Sequence, residues 1–297
     1  MGTPEFGAVI LEELCRANYK PVLVVTAPNK PVGRKKILTP PPVKVMAENY
    51  NIPVLQPQKI LDSRFQILDS KPDLIVVAAY GQILPKEILE IPKYGCLNIH
   101  PSLLPKYRGP SPIQYAILNG DKKTGLTIIL MDEQIDHGPI LAQKETVVGP
   151  NETLKQLHDR LSILGGDLLI DTIPDWIRGN IKLRSQDDEK STYTKILTKK
   201  DGEIDWKKSP QEIERQIRAF NPWPGAYTFF EKKVVKIKNL KKTMERKKNY
   251  LKILEARIEN NKLIIERVQP EGKKAMSFKD FLRGHPDFKI CPVVKIR

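Results

Sequence analysis

The run Pro72-Asp73-Leu74-Ile75-Val76-Val77-Ala78-Ala79 limits the fold more than any other stretch. It is apolar without alternation, as strands are when both faces are covered in a parallel sheet. Helical and extended patterns alternate around it. Helix is expected over 8–17, 43–50, 63–68, 86–89, 111–119 and 154–178, and strand over 21–26, 53–55, 72–79, 124–131 and 140–147. One further strand carries Asn98 and His100, at a distance from 72–79 that suits a parallel βαβ unit. Residues 1–180 are therefore read as a Rossmann-like α/β domain built on a parallel sheet.

The start of the chain reads as the turn after a strand. Met1-Gly2-Thr3-Pro4-Glu5-Phe6-Gly7 leads into the first helix, with Gly2 allowing close backbone approach and Pro4 suited to a helix start. No strand precedes this turn. A doubly wound sheet opens with one, so the expectation is that the first strand lies upstream of Met1 and is missing here.

The formal net charge is +15, and it is unevenly spread. From Met1 to Glu189 basic and acidic residues number 22 each, whereas Lys190 to Arg297 holds 28 basic and 13 acidic residues. A neutral first part joined to a basic last third reads as a chemistry domain beside a docking domain for a polyanion. The plainer alternative is lysine decorating solvated faces. Composition turns polar after 179, and residues 181–205 are read as a linker. Residues 206–297 then show a helix over 210–219 and the rigid turn Asn221-Pro222-Trp223-Pro224-Gly225. Short strands follow over 226–230, 233–240, 251–258 and 262–269, with closing apolar segments around Phe281 and Val293. That pattern fits a small β-barrel of the OB kind.

Cys15, Cys96 and Cys291 are too few and too scattered for a disulfide framework or a zinc site. They fit a reducing, cytoplasmic setting. No apolar run reaches membrane-spanning length, and no signal pattern opens the chain.

Chemistry is sought where strands end. Gly95-Cys96-Leu97-Asn98-Ile99-His100-Pro101 closes an apolar run with an amide and an imidazole two residues apart, hence on one side of a strand. Ligands sit beyond the carboxyl ends of parallel strands. The loops after Thr26, Ala79, His100 and Met131 are expected to share one rim, which would bring Asp136 to Asn98 and His100. An imidazole, a carboxylate and an amide suit general acid–base chemistry with oxyanion stabilisation. Alternatives stay open at this point: His100 as a structural residue before a turn, Asp136 as a turn cap, and His137 as the working histidine. No serine or cysteine sits at a nucleophile elbow, and no helical metal motif is present. The stretch 27–42, with Lys30-Pro31-Val32-Gly33-Arg34-Lys35-Lys36, reads as a basic loop, either phosphate-binding or simply solvated.

Asn98-Ile99-His100 with Ser102-Leu103-Leu104-Pro105 and the Asp136 loop resemble the signature of the folate-dependent formyltransferases. Further matching stretches are Gly2-Thr3-Pro4-Glu5-Phe6, Pro40-Pro41-Pro42-Val43-Lys44, Ala78-Ala79-Tyr80-Gly81-Gln82-Ile83-Leu84-Pro85 and Tyr107-Arg108-Gly109-Pro110-Ser111-Pro112-Ile113-Gln114. Beyond the linker, Arg218-Ala219-Phe220-Asn221-Pro222-Trp223-Pro224-Gly225 and Pro270-Glu271-Gly272-Lys273-Lys274-Ala275-Met276-Ser277 match too. The resemblance thus covers nearly the whole chain.

It implies transfer of a formyl group from 10-formyltetrahydrofolate to the α-amine of methionine esterified to initiator tRNA, by a monomer without a metal. Carried over, His100 is the acid–base residue, Asn98 holds the formyl oxygen, and Asp136 positions His100. The folate co-substrate is expected on the backbone of Tyr80, Gly81, Gln82, Ile83 and Leu84 and of the Asp132–Asp136 loop. Ser102, Leu103, Leu104 and Pro105 would line its other side. Arg34, Lys35 and Lys36 would reach the tRNA acceptor stem, and Lys232, Lys233, Lys236 and Lys238 would hold the tRNA further along. Two competing readings are a formyltransferase for a sugar or other small amine, and a non-catalytic RNA-binding protein on an enzyme fold.

Overall fold

The computed structural model describes residues 1–33, 35–238, 241–286 and 288, and the backbone alone at 231–238 and 241–248. Two units are distinguished. The first comprises Met1–Pro112, Lys122–Val148 and Gln156–Lys195, and the second Ile113–Asp121, Gly149–Lys155 and Ile196–Arg297.

Along the chain come α1 (Glu5–Arg16), β1 (Val24–Val25), β2 (Lys30–Val32), β3 (Ile37–Thr39), α2 (Pro42–Asn49) and β4 (Val54–Leu55). They are followed by α3 (Arg64–Asp69), β5 (Ile75–Val77), α4 (Lys86–Leu89), β6 (Cys96–His100), α5 (Pro112–Leu118), β7 (Lys123–Leu130), β8 (Ile140–Val147) and α6 (Leu154–Ile177). The apolar run at 72–79 supplies β5, which pairs in parallel with β6 from Ile75↔Cys96 to Val77↔Asn98. β1 and β4 form a second parallel pair. This much is the Rossmann-like arrangement of parallel strands with helices.

The sheet then turns mixed, against expectation. β7 runs antiparallel to β6, with Leu97 opposite Leu130 and His100 opposite Thr127, and β8 runs antiparallel to β7. The connector 101–122 contains a helix, as a parallel crossover does, yet it returns the chain in the opposite sense. The loop after β7 therefore leaves the sheet at the end away from His100. The assumption of one shared rim fails there.

Met1 and Gly2 lie between β1 and β5. Gly2 donates its N–H to the Val25 carbonyl (3.1 Å), Ala78 donates to the Met1 carbonyl (2.9 Å), and the terminal amine donates to the Val76 carbonyl (2.6 Å). These two residues stand beside β1 and β5, ahead of the turn that was read as following a first strand. Beside them is a cleft of about 430 Å³ bordered by Leu14, Leu23, Leu74 and Ile177, among others. Burial of the terminal amine lowers its pKa to about 6.

β6 is buried on both faces except at Asn98. Ile99, Leu126, Ile128, Leu157 and Leu161 are almost wholly enclosed. Each contributes roughly 1.5–3 kcal/mol of burial. The stretch read as a loop over 27–42 contains the hairpin β2–β3, paired from Lys30↔Thr39 to Val32↔Ile37. Lys35 and Lys36 lie exposed in its turn; Arg34 lies outside the described residues.

In the second unit α7 (Pro210–Phe220) opens with a reciprocal Ser209–Glu212 capping box and Pro210 in its first turn. β9 (Ala226–Lys238), β10 (Lys241–Glu259), β11 (Lys262–Pro270) and β12 (Met276–Ser277) follow, then α8 (Phe278–Arg283). The strands expected over 226–230 and 233–240 are one continuous β9. The order β12-β11-β10-β9 is an open antiparallel sheet among the described residues, and no closure into a barrel is seen there. Its core gathers Ile213, Ile217, Leu251, Leu263, Val268 and Phe281. Cys291 and Val293 lie outside the described residues, as do the side chains of Lys232, Lys233, Lys236 and Lys238.

Candidate active site

Asn98 and His100 sit near the end of β6, on the same side of the strand. His100 is buried, and its ring Nε2 lies 2.8 Å from the Tyr107 carbonyl. A carbonyl can only accept, so the ring donates from Nε2. The other nitrogen, Nδ1, faces Asp136 Oδ1 at 3.4 Å. Asn98 Nδ2 donates to the same Oδ1 at 3.0 Å, and the Gly109 N–H donates to Oδ2 at 2.7 Å. One carboxylate thus lies against both the amide and the imidazole, and its contact with Nδ1 becomes a hydrogen bond when that nitrogen also carries a proton.

Asp136 reaches them because residues 131–139 fold back over the sheet from the far end of β7. The fold-back is tight. Asp136 has φ +50°, a left-handed conformation that costs a non-glycine residue energy. At Gly138 an added Cβ would come within 1.8 Å of the Leu130 carbonyl oxygen, so no larger residue fits without movement. His137 faces away from this cluster, with Nδ1 2.6 Å from Asp132 Oδ2 and Nε2 3.5 Å from Asp188 Oδ2.

Residues 1–173 match the formyl transferase family, and residues 196–286 match the formyl transferase C-terminal domain. The chain belongs to the formyl transferase family. Across 295 residues it is 46% identical to a methionyl-tRNA formyltransferase of Bacillus velezensis, covering 96% of this chain and 93% of that one. Among solved structures, a methionyl-tRNA formyltransferase from Clostridium thermocellum superposes with a TM-score of 0.54 at 21% identity, over 84% of this chain and 99% of that one. An N-formyltransferase from Helicobacter canadensis, in complex with folinic acid and dTDP-3-aminofucose, gives 0.56 at 21% identity over 84% and 93%. Both structural likenesses speak for the fold.

The residues this formyl transferase was expected to turn toward folate are placed unevenly. Ile83 is 69% exposed and Ile135 is 55% exposed, on the two loops nominated for the pterin. An added Cβ at Gly81 would meet nothing within 4 Å. Leu84, by contrast, is a core residue. Tyr80 is buried, its hydroxyl has no partner among the described residues, and burial pushes its pKa up to about 12. Gln82 Oε1 accepts from the Ile60 N–H at 2.9 Å, so its side chain braces the neighbouring loop.

The Ser102–Pro105 turn is built mainly for structure. Ser102 and Leu104 are buried, Ser102 Oγ donates to the Lys106 carbonyl at 2.6 Å, and the Leu104 N–H donates to Thr127 Oγ1 at 3.1 Å. Leu103 and Pro105 are half-buried. Among the described residues, no group of three His, Cys, Asp or Glu side chains is placed to hold a metal ion. No described helix is long and apolar enough to cross a membrane.

Tyr107, Gly109 and Gln186 touch the cluster and were not nominated from sequence. Tyr107 and Gly109 act through backbone groups, which side-chain reasoning does not reveal. Gln186 lies in the polar stretch read as a linker, yet residues up to Lys195 belong to the first unit. Arg184 there exchanges backbone hydrogen bonds with Ile140.

Proposed function

We propose that the chain transfers the formyl group of 10-formyltetrahydrofolate to the α-amino group of methionyl-initiator tRNA, giving N-formylmethionyl-tRNA for translation initiation. The observation that carries this reading is identity at 46% across 96% of the chain, including its basic last third. A small-amine formyl transferase has no need of such a region.

The cluster suits the chemistry. A free amine is a good nucleophile once deprotonated, so the site must stabilise an oxyanion and move a proton. The Asn98 amide carries two N–H donors, and one turned to the formyl oxygen stabilises the charge that develops there. As the new N–C bond forms, His100 with Asp136 takes the proton released by the amine. They return it to the folate nitrogen as the old C–N bond breaks. With Nε2 donating to Tyr107, a neutral ring turns the lone pair of Nδ1 toward Asp136, and the proton taken from the amine is then held between Nδ1 and Oδ1. The Tyr107 carbonyl holds the ring in the orientation that makes this possible.

On this reading Arg34, Lys35 and Lys36 meet the acceptor end of the tRNA. Lys232, Lys233, Lys236 and Lys238 supply phosphate contacts from an OB-like C-terminal domain spanning 206–297. The enzyme works as a cytoplasmic monomer.

The test supplies purified protein with 10-formyltetrahydrofolate and methionyl-initiator tRNA and measures formyl-methionine, with dTDP-amino sugars as alternative acceptors. Product on tRNA alone supports the reading; product only on sugars replaces it. Arg34→Ala is expected to weaken turnover on tRNA, and unchanged kinetics would remove Arg34 from recognition.

A further inference from the structure

Arg108 is among the largest fully buried side chains in the molecule, at 1% exposure. Its guanidinium serves no nominated role in catalysis. Nε and one terminal nitrogen donate to Gln186 Oε1 at 3.1 and 2.9 Å; that same terminal nitrogen donates to Asp188 Oδ1 at 2.7 Å, and the other to the Tyr193 hydroxyl at 3.2 Å.

The chemistry of arginine fixes what Gln186 must do. A guanidinium has only donors, so the amide of Gln186 must present its oxygen to Arg108. Its nitrogen is thereby aimed the other way, where it donates to the carbonyls of Asp136 and Gly138, both at 2.8 Å. Those two carbonyls flank the left-handed kink that delivers the Asp136 carboxylate to His100. Arg108 also lies between Tyr107, whose carbonyl holds the His100 ring, and Gly109, whose N–H holds Asp136.

We propose that Gln186 is a positioning residue for formyl transfer. Oriented by the buried Arg108, it clamps the backbone of the Asp136 loop so that the carboxylate meets Asn98 and His100. This rests on the proposed acyl-transfer role of the cluster.

The substitution that discriminates is Gln186→Glu, compared with Gln186→Ala. Glutamate has the same shape and pairs with Arg108, so packing and the ion network are kept. Its second oxygen, however, faces two carbonyl oxygens and can donate nothing to them. A merely structural Gln186 predicts that Gln186→Glu behaves as wild type and Gln186→Ala is worse.

The clamp predicts a fall in kcat of roughly 10-fold or more in both variants, with KM for folate and tRNA within about twofold. It also predicts a displaced pH profile of kcat, since the His100–Asp136 contact is altered, and faster amide exchange across 132–139. If Gln186→Ala does not fold, Gln186→Glu alone decides. Wild-type kcat and pH profile in Gln186→Glu overturn the proposal, as does a loss of activity that tracks thermal stability and returns on cooling. A wild-type enzyme that forms no product defeats the functional reading instead, and the exchange measurement still reports on the clamp.

Discussion

The backbone N–H of Gly109 donates to Asp136 Oδ2 across 2.7 Å, so one carboxylate oxygen is already committed and only Oδ1 faces Asn98 and His100. A carboxylate held at one oxygen cannot rotate freely. The amide and the imidazole therefore meet an acceptor of fixed direction, which general acid–base transfer rewards.

That contact makes Gly109→Ala informative. Gly109 has φ +99°, and an added Cβ would approach the Thr194 carbonyl oxygen to 2.8 Å. The substitution must displace the strand-like contact with Thr194 or rotate the N–H away from Asp136. A stability loss on the order of 1–3 kcal/mol is expected from the backbone alone. A fall in kcat measured well below the melting temperature would show that the carboxylate has moved as well.

His100→Ala is expected to lower turnover by roughly 10²–10⁴-fold, and Asn98→Ala by about 10²–10³-fold. Filter binding of tRNA should stay close to wild type in both. Equal losses of turnover and tRNA binding would make these residues structural.

Cys96 should resist alkylation. Burial holds its thiol in the neutral form and pushes its pKa up to about 12, which cuts the thiolate present near pH 8 by about a thousandfold relative to an ordinary cysteine. Peptide mapping after timed iodoacetamide treatment should find Cys15 modified before Cys96. In urea the two rates should converge; equal rates in native protein would contradict the burial.

Asp188 gives a pH dependence with a definite sign. The hydrogen bond from Arg108 holds its carboxyl below the usual range. A carboxyl depressed by folding stabilises the native state above its ordinary pKa, and that stabilisation is lost as pH falls through the folded value. Denaturation midpoints of wild type and Asp188→Asn should differ near neutral pH and converge in acid. Because Asp188 is largely exposed, the difference should be small and shrink further in salt.

Much of the catalytic core was legible because its signals are local. β5 and β6 announce themselves as apolar runs, and Asn98 and His100 share a side by simple alternation. The direction of β7 was not legible, since a helix in a connector is equally at home in a parallel or an antiparallel return. The β2–β3 hairpin was hidden by Pro31 and a run of lysines, which carry none of the alternation that marks a half-buried strand. Gln186 was hidden for another reason. Its meaning comes from Arg108, 78 residues away, and nothing in its own polar surroundings distinguishes it from a linker residue.

The shortness of the β1–β4 pair bears on how the protein comes apart. β1 and β4 pair over Val24↔Val54 and Val25↔Leu55 alone, whereas β5 to β8 are joined by longer ladders. Local opening follows the weakest seam. Amides of Val24, Val25 and Leu55 should therefore exchange through a smaller free-energy gap than those of Leu97 to Ile99. The strands that carry the proton relay can stay folded while the β1–β4 pair breathes.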